Sequence, residues 1–154
     1  GAQRSDVQDT AFLADQLVEV LARALSPGVN DPFTAMTCLD WMRSALTVFL
    51  QQDTQLRMQE DADVIHRVLT LQTMVERTFQ RARPYVATDR NTAIHAMSAL
   101  DTMVRFAERP DEAAVLTREM ERLAEAVLNV FEDADTRRAI TDLARVQAAD
   151  TAAA

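Results

Sequence analysis

The densest group of chemically versatile side chains surrounds one short loop. Ser26 to Pro32 reads Ser-Pro-Gly-Val-Asn-Asp-Pro and holds two of the four prolines and one of the two glycines of the 154-residue chain. The loop and its flanks offer a guanidinium, two hydroxyls, an amide and a carboxylate, from Arg23, Ser26, Asn30, Asp31 and Thr34. Together with the first N–H groups of a helix, such side chains can hold a small anion or a carboxylate. These five residues are the candidate ligand-binding or interface residues.

The same residues also have a purely structural interpretation. Gly28 and Asn30 tolerate positive φ, and the flanking prolines fix φ, so the loop can form a rigid corner. Asp31 can cap the next helix, and Pro32 can be its first residue, where a missing N–H costs nothing. An Asp31 cap would fill the position that an anion needs, and a pair between Arg23 and Asp31 would lock the corner. A structural corner, an interface with another domain or subunit, and a ligand site all stay open.

Other groups with catalytic or metal-binding potential are sparse. Glu60, Asp63 and His66 lie three residues apart, but a metal needs a further well-placed ligand, so we expect a solvated helix start. His95 is expected to be partly buried and hydrogen-bonded, and Cys38 to be a small core residue. The sequence has no glycine-rich phosphate loop and no serine, histidine and aspartate arrangement for nucleophilic catalysis. We expect a protein that is not an enzyme and needs no metal or cofactor.

Hydrophobic periodicity predicts helices throughout and no strand. The predicted helices run from Asp9 or Thr10 to Leu25, from Pro32 to Leu50, from Asp61 to Arg83, from an Asp89 cap to Glu108, from an Asp111 cap onward, and from an Asp135 cap to Ala148. A connection from Pro84 to Thr88 separates the third helix from the fourth. The fold class is therefore all-α, with five to six helices in a single domain over residues 9–148. Residues 1–8 would be a lead-in and residues 149–154 a frayed tail.

The second helix differs from the others in the distribution of its apolar residues. The first helix has one apolar stripe, formed by Leu13, Leu17, Val20, Leu21 and Ala24, and the last would turn Ile140, Leu143 and Val146 inward. The second has apolar residues around most of its circumference: Phe33, Met36, Cys38, Leu39, Trp41, Met42, Ala45, Leu46, Val48 and Phe49. A helix that is apolar nearly all round is typical of an enclosed position. We therefore expect the second helix at the centre of the bundle.

A shift of 58 residues superposes the first helical hairpin on the second. It pairs Asp31 with Asp89 and Thr34 with Thr92, and it brings apolar positions onto apolar positions. Two amphipathic hairpins would share such a pattern with or without a duplication, and both origins stay open. Either origin predicts a bundle built around two similar hairpins, with the capping geometry of the first repeated in the second.

Charge and hydropathy exclude several classes of partner. The net charge of −8 argues against sequence-independent binding of nucleic acid and against docking on an anionic membrane surface. The chain has no run of 18 apolar residues, so we expect no direct membrane insertion by it. Its one cysteine excludes an internal disulfide and favours a reducing compartment. The expected location is the cytoplasmic side of a membrane.

Residues 8–40 carry a family resemblance. The segments Gln8–Phe12, Leu17-Val18, Ala22–Pro32, Thr34-Ala35 and Cys38–Asp40 resemble the soluble C-terminal region of predicted integral membrane proteins catalogued as "domain of unknown function 2254". The family signature reads A-L-S-P-G-I-N-D-P-x-T-A, and this chain departs from it only at Val29. A second, looser match covers residues 79–91, where Arg90 stands in place of a frequent Asn-Pro step.

The resemblance implies a module that follows several transmembrane helices of a bacterial inner-membrane protein. No enzymatic activity is established for that family. The expected function is that of a non-catalytic helical module serving self-association or signal coupling, with its own copies and the membrane part of the parent protein as partners. A regulatory domain that binds a small ligand between the two hairpins is the alternative. An enzyme whose catalytic groups lie elsewhere in the parent protein is a third hypothesis.

Overall fold

The computed structural model describes residues 2–51 and 70–153, with side chains described over 9–51 and 70–147. Within those ranges the backbone forms six helices and no strand, so the all-α prediction is confirmed. The helices are α1 (Ala2–Ala24), α2 (Pro32–Gln51), α3 (residues 70–86), α4 (Arg90–Phe106), α5 (Pro110–Val130) and α6 (Ala134–Ala153). The candidate cluster Glu60, Asp63 and His66 and the first part of the predicted third helix lie outside the described residues.

The core takes buried side chains from all six helices. Its largest fully buried members include Leu21, Leu39, Met42, Leu46, Leu71, Met97, Leu100, Leu116 and Ile140. α4 packs against α2, α3, α5 and α6, while α2 packs mainly against α1 and α4. The small residues Ala93, Ala96 and Ala99 are all buried on α4, which lets neighbouring helices approach it from several directions. The most enclosed helix is therefore α4.

The prediction that α2 is enclosed at the centre is wrong for this chain. One face of α2 is buried, through residues such as Ala35, Leu39 and Leu46. On the opposite face Phe33 and Trp41 remain largely exposed. The physical reason is that the described helices supply partners for only one side of α2. The apolar residues on its other side therefore remain in contact with solvent.

The first and last helices also bury different residues from those expected. On α1 the buried positions are Val18, Leu21 and Ala24, whereas Leu13 and Val20 are exposed. α1 begins at Ala2, ahead of the predicted cap, and α6 continues to Ala153, beyond the predicted end. On α6 Ile140 is fully buried and Leu143 packs against the core, but Val146 is exposed. An apolar stripe assigned from ideal helical spacing therefore identifies the buried positions only to within one residue.

Asp-x-x-Thr caps recur at the starts of helices. The Asp89 carboxylate accepts hydrogen bonds from the Thr92 N–H at 2.9 Å and the Thr92 hydroxyl at 2.7 Å. The Asp31 carboxylate accepts from the N–H and the hydroxyl of Thr34 in the same way. The predicted correspondence between the two hairpins is therefore confirmed at their caps.

Two other predicted caps are each wrong by two residues. Asp133, and not Asp135, caps α6, because its carboxylate accepts from the Thr136 N–H at 2.9 Å. α5 begins at Pro110, a residue that suits the first helical position because it lacks an N–H. Asp111 therefore lies inside the first turn, where hydrogen bonds from Arg109 lower the pKa of its carboxyl.

The predicted break at Pro84 lies inside α3. A π-helical turn covers Glu76–Gln80, and the helix then continues through Arg81–Val86. A proline inside a helix conflicts with the carbonyl four residues earlier, which here belongs to the last residue of the π-helical turn. The π-helical turn therefore lies directly before the segment that contains the proline. As a result, α3 ends at Val86 instead of Arg83.

Candidate functional site

The corner between α1 and α2 satisfies its own backbone. Asn30 adopts φ 46, the left-handed conformation that asparagine tolerates. Its N–H donates to the Ser26 carbonyl at 2.8 Å, and the Asp31 N–H donates to the Ala24 carbonyl at 2.6 Å. The Ser26 hydroxyl donates to the Arg23 carbonyl at 2.7 Å. The carbonyls at the end of α1 are thereby used within the loop.

The cap on α2 occupies the place predicted for an anion. Asp31 accepts from the Thr34 N–H at 3.1 Å and from the Thr34 hydroxyl, and these bonds lower the pKa of its carboxyl. Arg23 does not pair with Asp31, so that prediction is wrong. The Arg23 guanidinium donates to Glu19 at 2.8 Å, one turn back on α1, and both side chains are largely exposed. The side chains of Ser26, Asp31 and Thr34 and the backbone of Asn30 build the corner, whereas the Arg23 side chain pairs with Glu19.

The lowered pKa of Asp31 gives the corner a defined pH dependence. A carboxyl whose folded pKa lies below its ordinary value of 3.8 stabilises the fold above that value and loses this contribution as the pH falls through the folded pKa. We expect Asp31→Ala to lower the melting temperature at neutral pH, and the difference from wild type to shrink below about pH 4. Asp31→Asn keeps an acceptor for Thr34 and should flatten the acid dependence. A constant difference between Asp31→Ala and wild type from pH 7 to pH 3 would contradict this role.

The backbone of the loop predicts that substitution by alanine stabilises the protein at one position and destabilises it at another. The φ of Gly28 is not positive, and a Cβ added there would meet nothing within 4 Å. Gly28→Ala should therefore stabilise the protein by about 0.4–1 kcal/mol, through a less flexible unfolded chain. Asn30→Ala should cost about 1–2 kcal/mol, because alanine resists the left-handed conformation. Urea unfolding of the two variants measures both effects, and a loss for Gly28→Ala would show that Gly28 is needed for its flexibility.

The described residues offer little space for a ligand. One cleft of about 50 Å³ lies between α3 and α5, lined by residues such as Gln72, Glu76 and Arg118. A second cleft, also of about 50 Å³, lies between α5 and α6. Neither is lined by α2 or by the corner, and drug-sized ligands occupy about 300–1,000 Å³. Over the same residues, His, Cys, Asp and Glu form no group of three or more that could hold a metal ion.

His95 and Cys38 have the structural roles that the sequence predicts. The Nε2 atom of His95 lies 2.7 Å from a carboxylate oxygen of Asp40, which joins α4 to α2. Cys38 is buried, and this burial raises the pKa of its thiol. A thiol with a raised pKa is a poor nucleophile at neutral pH. Neither residue adds a reactive group to the corner.

The exposed face of α2 is the most unusual surface of the described chain. The exposed fraction is 78% for Phe33, 64% for Trp41 and 55% for Val48. Thr37 and Ser44 lie between them on the same face and are also exposed. We call these five residues the α2 stripe. The only charged residues of α2, Asp40 and Arg43, are not part of it.

Apolar exposure is concentrated on the hairpin of α1 and α2. Seven of the eleven large apolar side chains that are exposed in the described part lie there: Phe12, Leu13, Val20, Val29, Phe33, Trp41 and Val48. The other four are spread over α3 to α6. Because exposed apolar side chains can mark contact surfaces, this concentration makes the hairpin a better candidate for a contact than the polar corner.

A buried ion pair between α3 and α5 was not apparent from the sequence. The Arg83 guanidinium donates two hydrogen bonds to the two carboxylate oxygens of Glu119, at 2.9 and 2.7 Å. The Glu119 side chain is only 3% exposed, and the hydrogen bond to it raises the pKa of Arg83. The partners lie 36 residues apart, so no local spacing could indicate the pair.

Comparison with known proteins gives one match. A family model described as "Predicted membrane protein (DUF2254)" matches residues 1–151. No curated protein and no solved structure matches the chain. None of the helices in the described ranges is long and apolar enough to cross a membrane.

Proposed function

The chain belongs to a family of predicted membrane proteins, domain of unknown function 2254. From this premise we propose that it is a non-catalytic helical module through which copies of the parent protein associate. The contact surface in this proposal is the hairpin of α1 and α2, centred on the α2 stripe. The proposal places the module on the cytoplasmic side of the membrane, where the free thiol of Cys38 is stable.

One observation carries the proposal, which is the exposure of the large apolar side chains Phe33 and Trp41 on α2. Covering apolar surface is worth about 25 cal/mol per Å², and tryptophan is among the residues that most often dominate a binding interface. The two exposed aromatic side chains contribute little to folding where they lie. They would contribute to association once a partner covers them.

Charge favours a contact between copies over a contact with an anionic surface. The chain carries a net charge of −8, so two copies repel each other wherever acidic residues meet. The five residues of the α2 stripe are uncharged, so a contact confined to them would avoid that cost. Docking on anionic lipid would instead require clustered basic residues beside the aromatics, and α2 has a single basic residue, Arg43.

The ligand-binding alternative finds less support. It needs a cavity lined by α2 with convergent polar groups, whereas the two clefts described above lie beside α5 and hold about 50 Å³ each. The side chains of Ser26, Asp31 and Thr34 are already hydrogen-bonded within the corner. Self-association is therefore the function that the surface favours.

Sedimentation velocity of the 154-residue chain tests the proposal. We expect the sedimentation coefficient to rise with protein concentration between about 1 μM and 1 mM, the range in which interfaces of modest affinity assemble. A chain that stays monomeric at the highest concentration would refute self-association. Flotation with vesicles of neutral and of anionic lipid forms the second arm, and binding to either would point to a lipid surface as the occupant of the stripe instead.

A further inference from the structure

We infer that the cleft between α3 and α5 binds a small phosphate-type oxyanion through the guanidinium groups of Arg118 and Arg122. Both arginines line the cleft from α5, and both are exposed. They lie four residues apart and therefore share one face of the helix. The inference is independent of the contact surface on α2, and it concerns one oxyanion group, which is far smaller than a drug-sized ligand.

The two guanidinium groups lack partners in the part of the chain that the structure describes. Neither makes a hydrogen bond or an ion pair there. By contrast, Arg81, Arg83 and Arg109 each donate to a carboxylate. Two like charges four residues apart on a helix repel each other. An anion that bridges Arg118 and Arg122 would offset this repulsion and accept charge-assisted hydrogen bonds from both.

The α3 side of the cleft supplies amides and one carboxylate. Gln72, Glu76 and Gln80 line the cleft there, and the Gln80 amide can donate to an oxyanion. Gln72 Nε2 lies 3.4 Å from Glu76 Oε1, along the same helix. Glu119 also lines the cleft, but both of its oxygens accept hydrogen bonds from Arg83. The charge of Glu76 therefore opposes an anion, and the two arginines outweigh it.

The backbone of α3 is unusual where it borders the cleft. Glu76–Gln80 form the π-helical turn, and the first and last residues of this turn line the cleft. Isolated π-helical turns within α-helices are rare and occur frequently at functional sites. The cleft between α5 and α6 has neither a π-helical turn nor an arginine among its described lining residues. Backbone and charge therefore distinguish the same cleft independently.

The size of the cleft suits a single oxyanion group. Its volume is about 50 Å³, and a cavity needs about 10–15 Å³ to hold one water molecule, so several water-sized groups fit. The net charge of −8 repels anions from the chain as a whole, which weakens binding. We therefore expect a dissociation constant of about 1 mM for inorganic phosphate at neutral pH.

Thermal unfolding in phosphate and in chloride at equal ionic strength tests the site. With this dissociation constant, about 10 mM phosphate should raise the melting temperature of the wild-type chain by about 3–5 °C through the site. Phosphate also stabilises proteins by exclusion from their surface, so the comparison of variants is decisive. The double variant Arg118→Gln/Arg122→Gln should lose the gain that the site provides.

Arg138→Gln/Arg145→Gln is the matched control. It removes the same charge from exposed positions of α6, and neither arginine lines a cleft in the described part of the chain. This control should keep the wild-type gain in phosphate. Equal gains in the two double variants would show a general ion effect only and would overturn the inference.

Glu76→Gln should act in the opposite direction. Removing one exposed charge about 6 Å from the anion should lower the dissociation constant about threefold. A Glu76→Gln chain that binds phosphate no more tightly than wild type would place the anion outside the cleft and contradict the inference.

Flotation with vesicles that contain phosphatidic acid distinguishes two sources of the phosphate group. Vesicle binding that Arg118→Gln/Arg122→Gln loses would identify a lipid headgroup as the ligand. A phosphate gain without vesicle binding would identify a free anion. Neither result changes the test of self-association, because the residues of this cleft lie on α3 and α5 and not on α2.

Discussion

Arg83→Ala is expected to lower the free energy of unfolding by about 3 kcal/mol. Its guanidinium makes both hydrogen bonds to the Glu119 carboxylate, whose side chain is 3% exposed. Removing one partner of a buried ion pair leaves an uncompensated charge in the interior, and this typically costs about 3–5 kcal/mol. The partial exposure of Arg83 places the expected loss at the lower end of that range. Urea unfolding at neutral pH measures it.

Arg81→Ala provides the matched control two residues earlier on the same helix. Arg81 pairs with Asp15 of α1 at 2.6 Å, but both side chains are about half exposed. Exposed ion pairs contribute about 0–1 kcal/mol, so the loss should be several-fold smaller than for Arg83→Ala. Equal losses in the two variants would show that burial of Glu119 does not determine the strength of the α3–α5 contact.

Trp41→Glu is expected to raise the dissociation constant of the proposed self-association by about 100-fold or more. Loss of a central tryptophan costs about 2 kcal/mol or more in many interfaces, and each 1.4 kcal/mol is a factor of ten. In a two-fold dimer the substitution occurs twice and places two like charges in the contact. Sedimentation velocity over a concentration series measures the shift.

The folded monomer should tolerate this substitution. Trp41 is 64% exposed, and surface substitutions away from caps and buried groups usually change stability by less than about 0.5 kcal/mol. The melting temperature of Trp41→Glu at low concentration is therefore expected to match that of the wild-type monomer. A large loss of stability would mean that Trp41 belongs to the core and not to a contact surface.

Local chemistry accounts for the features that could be predicted from the sequence. Asp31 and Asp89 cap their helices because an aspartate before a helix start satisfies N–H groups within three residues of it. Asn30 takes the left-handed conformation for a similarly local reason. The all-α class follows from helical periodicity without strand alternation. Each of these depends on residues that are close in sequence.

The features that the sequence did not reveal depend on residues that lie far apart along the chain. The pair of Arg83 and Glu119 joins two helices whose register is set by the whole core. The apolar circumference of α2 indicates that several of its sides can be covered, but not which side the described helices cover. The sequence did not distinguish Asp133 from Asp135 as the cap of α6, because a two-residue shift of a helix start leaves the apolar periodicity unchanged.

The most direct test of the association surface compares Val48→Glu with Val146→Glu. The two valines are similarly exposed, at 55% and 47%, and they lie on α2 and α6 respectively. Both variants add the same charge to the surface, so only the location differs. At a concentration where the wild-type chain sediments as a dimer, Val48→Glu is predicted to sediment as a monomer and Val146→Glu as a dimer. If Val48→Glu remains as dimeric as the wild type, the α2 stripe is not the contact surface.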